Sequence, residues 1–162
     1  MSINIAVLIP CLNEAETIAS VVHSFSKELP SANIYVFDNN SSDKSVSEAT
    51  GAGAHVRHVR ERGKGNVVRE MFRQINADVY VMVDGDLTYP PSAIHQLMEP
   101  ILSNEAHMVV GDRISSSSYS QQNTRAFHTF GNDLVVFLIN KLFSSNCRDI
   151  LSGYRVFSKP FA

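Results

Sequence analysis

DVYVMVDGDLTYPP (78–91) begins at an acid, runs through five apolar or aromatic residues and stops at Asp84-Gly85-Asp86. A run so short, so apolar and so rich in valine reads as a β-strand buried on both faces, spanning 79–84. Pro90 and Pro91 then suit the first turn of a helix over Ser92–Leu102. A buried strand, a turn bearing two carboxylates and a helix therefore succeed one another directly.

The same alternation extends in both directions from this segment. INIAVLI (3–9) is strand-like and Pro10 closes it. Glu14–Leu29 is helical, with Ile18, Val21, Val22, Phe25 and Leu29 on one face. IYVFD (34–38) is a second strand, and Asp43 to about Ala52 is a short helix with Asp43 as its N-cap. HVRHV (55–59) is a weaker third strand. Gly65–Ile75 is helical through Val68, Met71, Phe72 and Ile75. MVVGD (108–112) is a further strand. SSSSYSQQN (115–123) is polar and reads as a mobile loop. Ala126–Phe143 is an amphipathic helix striped by Phe127, Phe130, Leu134, Leu138 and Leu142, and GYRVF (153–157) is a last strand. Near-continuous apolar strands separated by helices predict an α/β fold: a Rossmann-like, mostly parallel sheet with helices on both faces.

Composition narrows the possibilities. The 162 residues fit a single domain, 1–162, and 44% apolar content supplies a core. Lysine and arginine number 14 against 16 acids, a net charge of −2, so no overall basic field points to nucleic acid. Two cysteines, Cys11 and Cys147, make no disulfide framework, and the absence of a secretory signal predicts reduced thiols and a cytoplasmic protein. LVVFLINKLF (134–143) falls far short of the ~18–20 apolar residues that span a bilayer. The six histidines (23, 55, 58, 95, 107, 128) show no zinc spacing. The chain ends at SKPFA directly after GYRVF, the ending expected of a shortened form of a longer protein.

In open α/β sheets ligands sit at the carboxyl ends of the strands. Asp84 and Asp86 stand two apart there and can face the same way, while Gly85 lets the backbone approach a ligand closely. Two carboxylates so close repel unless a cation or a proton intervenes. A hard divalent ion, Mg²⁺ or Mn²⁺, takes one or two carboxylates and completes its shell with water and phosphate oxygens. One chemistry of this shape makes the first aspartate a phosphoryl-accepting nucleophile, and DGDLT resembles the DxDxT motif of the haloacid-dehalogenase-like phosphatases. That mechanism needs a downstream lysine and a further acidic motif. No lysine lies between Lys64 and Lys141, and GDRISS (111–116) lacks the second acid. The other chemistry uses the aspartates to hold a metal that bridges the two phosphates of a nucleotide-sugar, neutralising the leaving diphosphate.

The other strand ends bear on this choice. PCLNEAE (10–16) has no G-x-G-x-x-G, which counts against an NAD-type site, and is too acidic for the phosphate loop of a sugar nucleotidyltransferase. Glu14 could accept from a base or ribose hydroxyls, or simply cap a helix. Asp38 can accept from a base or a ribose, followed by turn chemistry through Asn39–Ser42. In RERGKGN (60–66), two glycines flank Lys64 ahead of a helix, which favours an anion or else makes a solvated basic turn.

The ordered set P-x-L-N-E, D-N-N-S-x-D, G-K-G-N, D-G-D-L-T-Y-P-P, G-D-R and L-S-G-Y-R-V-F resembles the family 2 glycosyltransferases, most of all the branch of dolichyl- and polyprenyl-phosphate sugar transferases. The resemblance runs from Ile5 to Phe157. It implies a GT-A fold, a UDP- or GDP-linked sugar donor, Mg²⁺ or Mn²⁺, and inversion at the anomeric carbon in a hexosyl transfer. By motif, Pro10, Leu12, Asn13 and Glu14 would line the nucleotide, Asp38 would meet base or ribose, and Lys64 would lie near the nucleotide. Asp84, Gly85 and Asp86 would form the metal and diphosphate site. Arg113 and Arg125 would meet the phosphate of a lipid-phosphate acceptor or of the donor. Arg155 would sit nearby or pack within a strand. Asn39 stands where the family often has a second aspartate, which leaves the choice of base open.

Transfer to an alcohol needs a general base, for which Asp149 is the late carboxylate in a suitable place. Transfer to a phosphate needs none, because that oxygen is already anionic and requires only arginine to hold it. The helix 126–143 either packs in the core or lies on a membrane surface, which would make the protein peripheral at the inner face of a membrane. The alternative class is a nucleotide-binding GT-A domain without transfer activity.

Overall fold

In a computed structural model the structure describes residues 3–111 and 152–162. The chain divides into two compact units, Met1–Val109 with Tyr154–Ala162, and Val110–Gly153. The first is built on a sheet covered by helices. The loop 115–123, the helix 126–143, and Arg113, Arg125 and Asp149 lie outside the described residues.

The elements run β1 (Ile5–Cys11), α1 (Ile18–Glu28), β2 (Asn33–Asp38), α2 (Ser45–Gly51), β3 (His55–His58), α3 (Lys64–Gln74), β4 (Val79–Met82), a 3-10 turn (Pro91–Ala93), α4 (Ile94–Leu102), β5 (Met108–Val110) and β6 (Arg155–Ser158). Among the described residues six strands form one sheet in the order β3-β2-β1-β4-β6-β5. β3, β2, β1 and β4 pair in parallel, and β6 pairs antiparallel to β4, with Met82 opposite Arg155. The sheet is therefore mostly parallel, as the apolar runs predict. The reversal at β6 has no counterpart in the sequence pattern.

Side chains alternate cleanly across the sheet. Val7, Ile9, Cys11, Val79, Val81 and Val83 join Phe25, Ile94 and Met98 in a core on one face. Ala6, Leu8, Tyr80 and Met82 join Val67, Met71 and Phe157 in a core on the other. Helices cover both faces, so the central strands β1 and β4 retain no polar alternation, while the edge strand β3 stays largely exposed. The buried face of α3 is offset from the expected one: Val67 and Met71 are its deepest residues, while Val68 and Phe72 only pack against the cluster.

Pro10 does not close the first strand, which continues to Cys11. Cys11 C=O accepts from Asn39 N–H (2.9 Å), and Leu8 C=O accepts from Val83 N–H (3.2 Å). Alternate residues face alternate neighbours, so Leu8 and Pro10 both turn towards β4. That strand ends at Met82 rather than at the expected Asp84, so the N–H that proline lacks has no ladder partner to lose. β1 stays with β2 to its end while β4 parts from it. β5 and β6 are likewise shifted from expectation, to Met108–Val110 and Arg155–Ser158.

Candidate active site

Where β1 and β4 part, the strand order reverses, the place where a doubly wound sheet opens a crevice. The chain leaves β4 through Val83 into Asp84-Gly85-Asp86. The two acids are thus on a loop, not on the strand, and they still line one cavity. Lys64, the first residue of α3, donates to Asp84 Oδ1 at 2.5 Å. Asp86 Oδ1 accepts the N–H of Thr88 at 3.0 Å, closing a turn around Leu87. Leu87 is exposed and sits at φ 61°, a left-handed conformation that its side chain disfavours.

Any side chain at position 85 would have to displace the Glu14 carboxylate. A Cβ there would clash with Oε2 of Glu14 and would press on Ile18 Cδ1 at 3.2 Å. Glu14 Oε2 is buried with no hydrogen-bond partner. Burial first, then the charges of Asp86 and Asp84, push the Glu14 carboxyl up to about 7, with Lys64 pulling the other way. Three carboxylates thus share one lysine across the ends of β1, β4 and α3, the kind of perturbed charge cluster that marks functional clefts.

The cavity has a volume of about 400 Å³ and contains, of the residues expected from sequence, Pro10, Leu12, Glu14, Lys64, Asp84 and Asp86. Cys11, Asn39, Arg62 and Gly63, from the same strand-end stretches, also line it, and so does Val67 of α3, which no strand-end pattern marks. Burial pushes the Cys11 thiol up to about 11, which leaves it an inert wall residue.

Asn13 and Asp38 are engaged elsewhere. Asn13, at φ 57°, accepts from Ser42 N–H (2.8 Å) and from the Ser42 hydroxyl (3.2 Å), while its own N–H donates to Ser41 Oγ (3.0 Å). Glu14 N–H donates to Ser45 Oγ (2.8 Å) and Ala15 N–H to Asp43 Oδ2 (3.1 Å). Asp43 Oδ1 also accepts from Ser45 N–H (2.9 Å), so Asp43 ties the start of α2 to the loop after β1, while the N-cap itself is Lys44 and not the expected Asp43. Asp38 accepts from Ser41 N–H (3.1 Å) and pairs with His58 Nδ1 (3.2 Å). The stretch DNNSSDKS (38–45) is therefore a latch between two strand ends.

Asn39 is the least anticipated member. Its amide donates to Val59 C=O (3.0 Å) and Glu61 C=O (2.8 Å), and its oxygen accepts from Gly63 N–H (2.8 Å). Asn40 adds donors to Val59 C=O and Arg60 C=O. An aspartate at 39 could make only the Gly63 bond. The asparagine therefore holds the residue that precedes α3, and with it Lys64.

A divalent cation fits this donor set. Among the described residues no three histidine, cysteine or acidic side chains form a ready-made metal cage. A hard ion that keeps water and phosphate oxygens needs only one or two carboxylates. Asp84 and Asp86, exposed in part and flanking a glycine, supply two, with the orphaned Glu14 oxygen behind them.

A mostly parallel sheet with an acid-glycine-acid turn at its switch point defines the GT-A class of glycosyltransferases. The model of "Glycosyl transferase family 2" matches residues 6–162, and the chain belongs to that family. It is 51% identical to Protein RfbJ of Shigella flexneri over 112 residues, 69% of this chain and 87% of that one. It is 36% identical to the glycosyltransferase AglJ of Haloferax volcanii, over 96% of this chain and 50% of AglJ. The solved glucosyl-3-phosphoglycerate synthase of Mycobacterium tuberculosis in complex with UDP superposes with a TM-score of 0.77 at 25% identity, over 98% of this chain and 58% of that one. The same enzyme has been solved with Mn²⁺, UDP and phosphoglyceric acid. The chain thus spans half the length of AglJ and 58% of the mycobacterial synthase.

Two outcomes are expected from this geometry. A carboxyl whose folded pKa lies above its unfolded value binds more protons when folded, so the stability tied to it is full below about pH 4.5 and lost as pH rises through about 7. Glu14→Gln, measured by urea unfolding without added metal, should therefore be more stable than wild type at pH 8 by about 1–2 kcal/mol, a figure discounted for partial exposure. The gap should close towards pH 5. Asn39→Asp should cost about 1–2 kcal/mol by the same measurement, because two loop carbonyls lose a donor and face a carboxylate.

Proposed function

We propose that this chain is the donor-binding domain of an inverting glycosyltransferase that moves a hexosyl group from a UDP- or GDP-linked sugar to a polyprenyl phosphate or a cell-envelope glycan. The observation that carries the reading is the convergence of Asp84, Asp86 and Lys64 on one cavity at the switch point of the sheet. The UDP complex of the mycobacterial relative supports UDP as the nucleotide.

In this reading Pro10 and Leu12 form the wall against which the nucleotide lies. Asp84 and Asp86 hold a divalent cation, Mg²⁺ or Mn²⁺, and Gly85 lets the diphosphate come close to the backbone. The bound ion would neutralise the charge that builds on the departing diphosphate. Lys64 exchanges its contact with Asp84 for the diphosphate, helped by the N–H groups at the start of α3. Asn13 and Asp38 act as braces that hold the pocket wall, since their polar atoms are already engaged. Arg113 and Arg125 hold an acceptor phosphate, and Asp149 acts as base if the acceptor is an alcohol. No helix among the described residues is long and apolar enough to cross a membrane. A lipid acceptor would be met at the membrane surface.

The test is thermal shift with UDP, GDP, CDP and TDP, each with and without Mn²⁺ or Mg²⁺, on wild type and Asp86→Ala. A nucleotide at about 100 times its dissociation constant should add about 2.7 kcal/mol of stability. The expected result is a metal-dependent shift for UDP that Asp86→Ala abolishes. A cooperative melt unmoved by any nucleotide would overturn the donor-site reading. Nucleotide binding without detectable turnover or donor hydrolysis would instead favour a catalytically incomplete domain.

A further inference from the structure

Tyr154 is 2% exposed and lies immediately before Arg155, which pairs with Met82 at the end of β4. Its ring meets Phe25 of α1 edge-on at 5.9 Å and 90°. On another side it meets Tyr89 at 5.4 Å and 54°. Its hydroxyl donates to Pro91 C=O at 3.4 Å. Burial pushes the hydroxyl's pKa up, so it stays a neutral donor. Tyr89 and Pro91 belong to the segment that leaves Asp86. Between them and Asp86 lie Leu87, at φ 61°, and Thr88, whose N–H is bonded to the Asp86 carboxylate. The loop is thus pinned at its start by β4 pairing, and at its far end, where it enters the 3-10 turn, it packs against an aromatic side chain from a distant part of the sequence.

We propose that Tyr154 is a positioning residue for the Asp84–Asp86 turn, clamping Tyr89 and Pro91 so that Leu87 stays in its strained conformation and Asp86 keeps its direction. The proposal rests on reading that turn as the donor diphosphate site. The physical step is simple. A leucine in left-handed backbone relaxes to an extended or right-handed one unless the chain on both sides forbids it. β4 forbids it on one side, and the Tyr154 ring forbids it on the other. Once the clamp is lost, Leu87 rotates, the Thr88 bond breaks and Asp86 samples several directions.

The experiment compares wild type with Tyr154→Leu, Tyr89→Leu and Tyr154→Phe. Tyr89→Leu removes the loop-side ring should Tyr154→Leu fail to fold, and Tyr154→Phe keeps both rings and loses only the Pro91 bond. Amide hydrogen exchange read by NMR needs no ligand. The Thr88 amide should exchange at least threefold faster in both leucine variants, with a smaller change in Tyr154→Phe, while amides of β1 and β4 keep their wild-type protection. Thr88 exchange within the wild-type range in a folded leucine variant would overturn the proposal. A second arm measures the dissociation constant of UDP with Mn²⁺. It should weaken at least fivefold in the leucine variants, but less than twofold when Tyr154→Leu is made in a Leu87→Gly background, because glycine holds positive φ without strain. Strictly additive effects would mean that Tyr154 serves stability alone and would also overturn the proposal. Should wild type bind no UDP, the donor-site reading fails, and the exchange arm still decides whether the clamp exists.

Discussion

Glu14 Oε2 occupies the place that a side chain at position 85 would need. Much of the site depends on that one exclusion. It requires the loop after β1 to lie beside the loop after β4, which only the β2-β1-β4 order of the sheet allows. It sets a glycine between the two aspartates, where any side chain would displace the Glu14 carboxylate. It also brings a third carboxylate against them, one of whose oxygens is buried without a hydrogen-bond partner. A folded domain gains nothing in stability from such an arrangement, since each neighbouring acid raises the cost of ionising the next. The surrounding structure is organised to hold it in place.

That holding is done by polar side chains bonded to backbone. Asn13, Asp43 and Ser45 join the loop after β1 to the start of α2, and Asn39 joins the end of β2 to the residue before α3. The arrangement carries a clear logic. Loops at the carboxyl edge cannot rely on apolar burial, because a ligand cavity must stay open there. Amide and hydroxyl groups aimed at specific N–H and C=O groups fix geometry without filling the space. Below that layer the two apolar cores on either face of the sheet supply the stability that the site consumes.

Much of this was legible in the sequence, for definite reasons. Strands such as VYVMV (79–83) are apolar throughout because both faces are covered, so they stand out from the amphipathic helices between them. The acids at 84 and 86 were legible because a carboxylate directly after a buried strand needs an explanation. The antiparallel direction of β6 was not, since a strand's residue pattern does not record which way its neighbour runs. Pro10 misled because its effect depends on which neighbour its missing N–H would face. The roles of Asn39 and Asn13 were hidden for a similar reason: their partners lie in loops 20 or more positions away. Residue type shows that an asparagine suits a turn. It does not show that the turn it fastens belongs to a distant part of the chain.

The lysine at the head of α3 shows how these layers combine. In isolation Lys64 is a half-exposed surface cation, worth little as an ion-pair partner. Its position is set by Gly63, whose N–H is held by Asn39, which is itself anchored to β1 through the Cys11 carbonyl. Its counter-charge is set by Asp84, which leaves the strand where β1 and β4 diverge. In the proposed function a flexible side chain becomes a preorganised phosphate ligand because both ends of its contact are fixed by backbone hydrogen bonds. Preorganised charge of this kind costs nothing more to arrange when a substrate arrives, which is how a fold converts stability into chemistry.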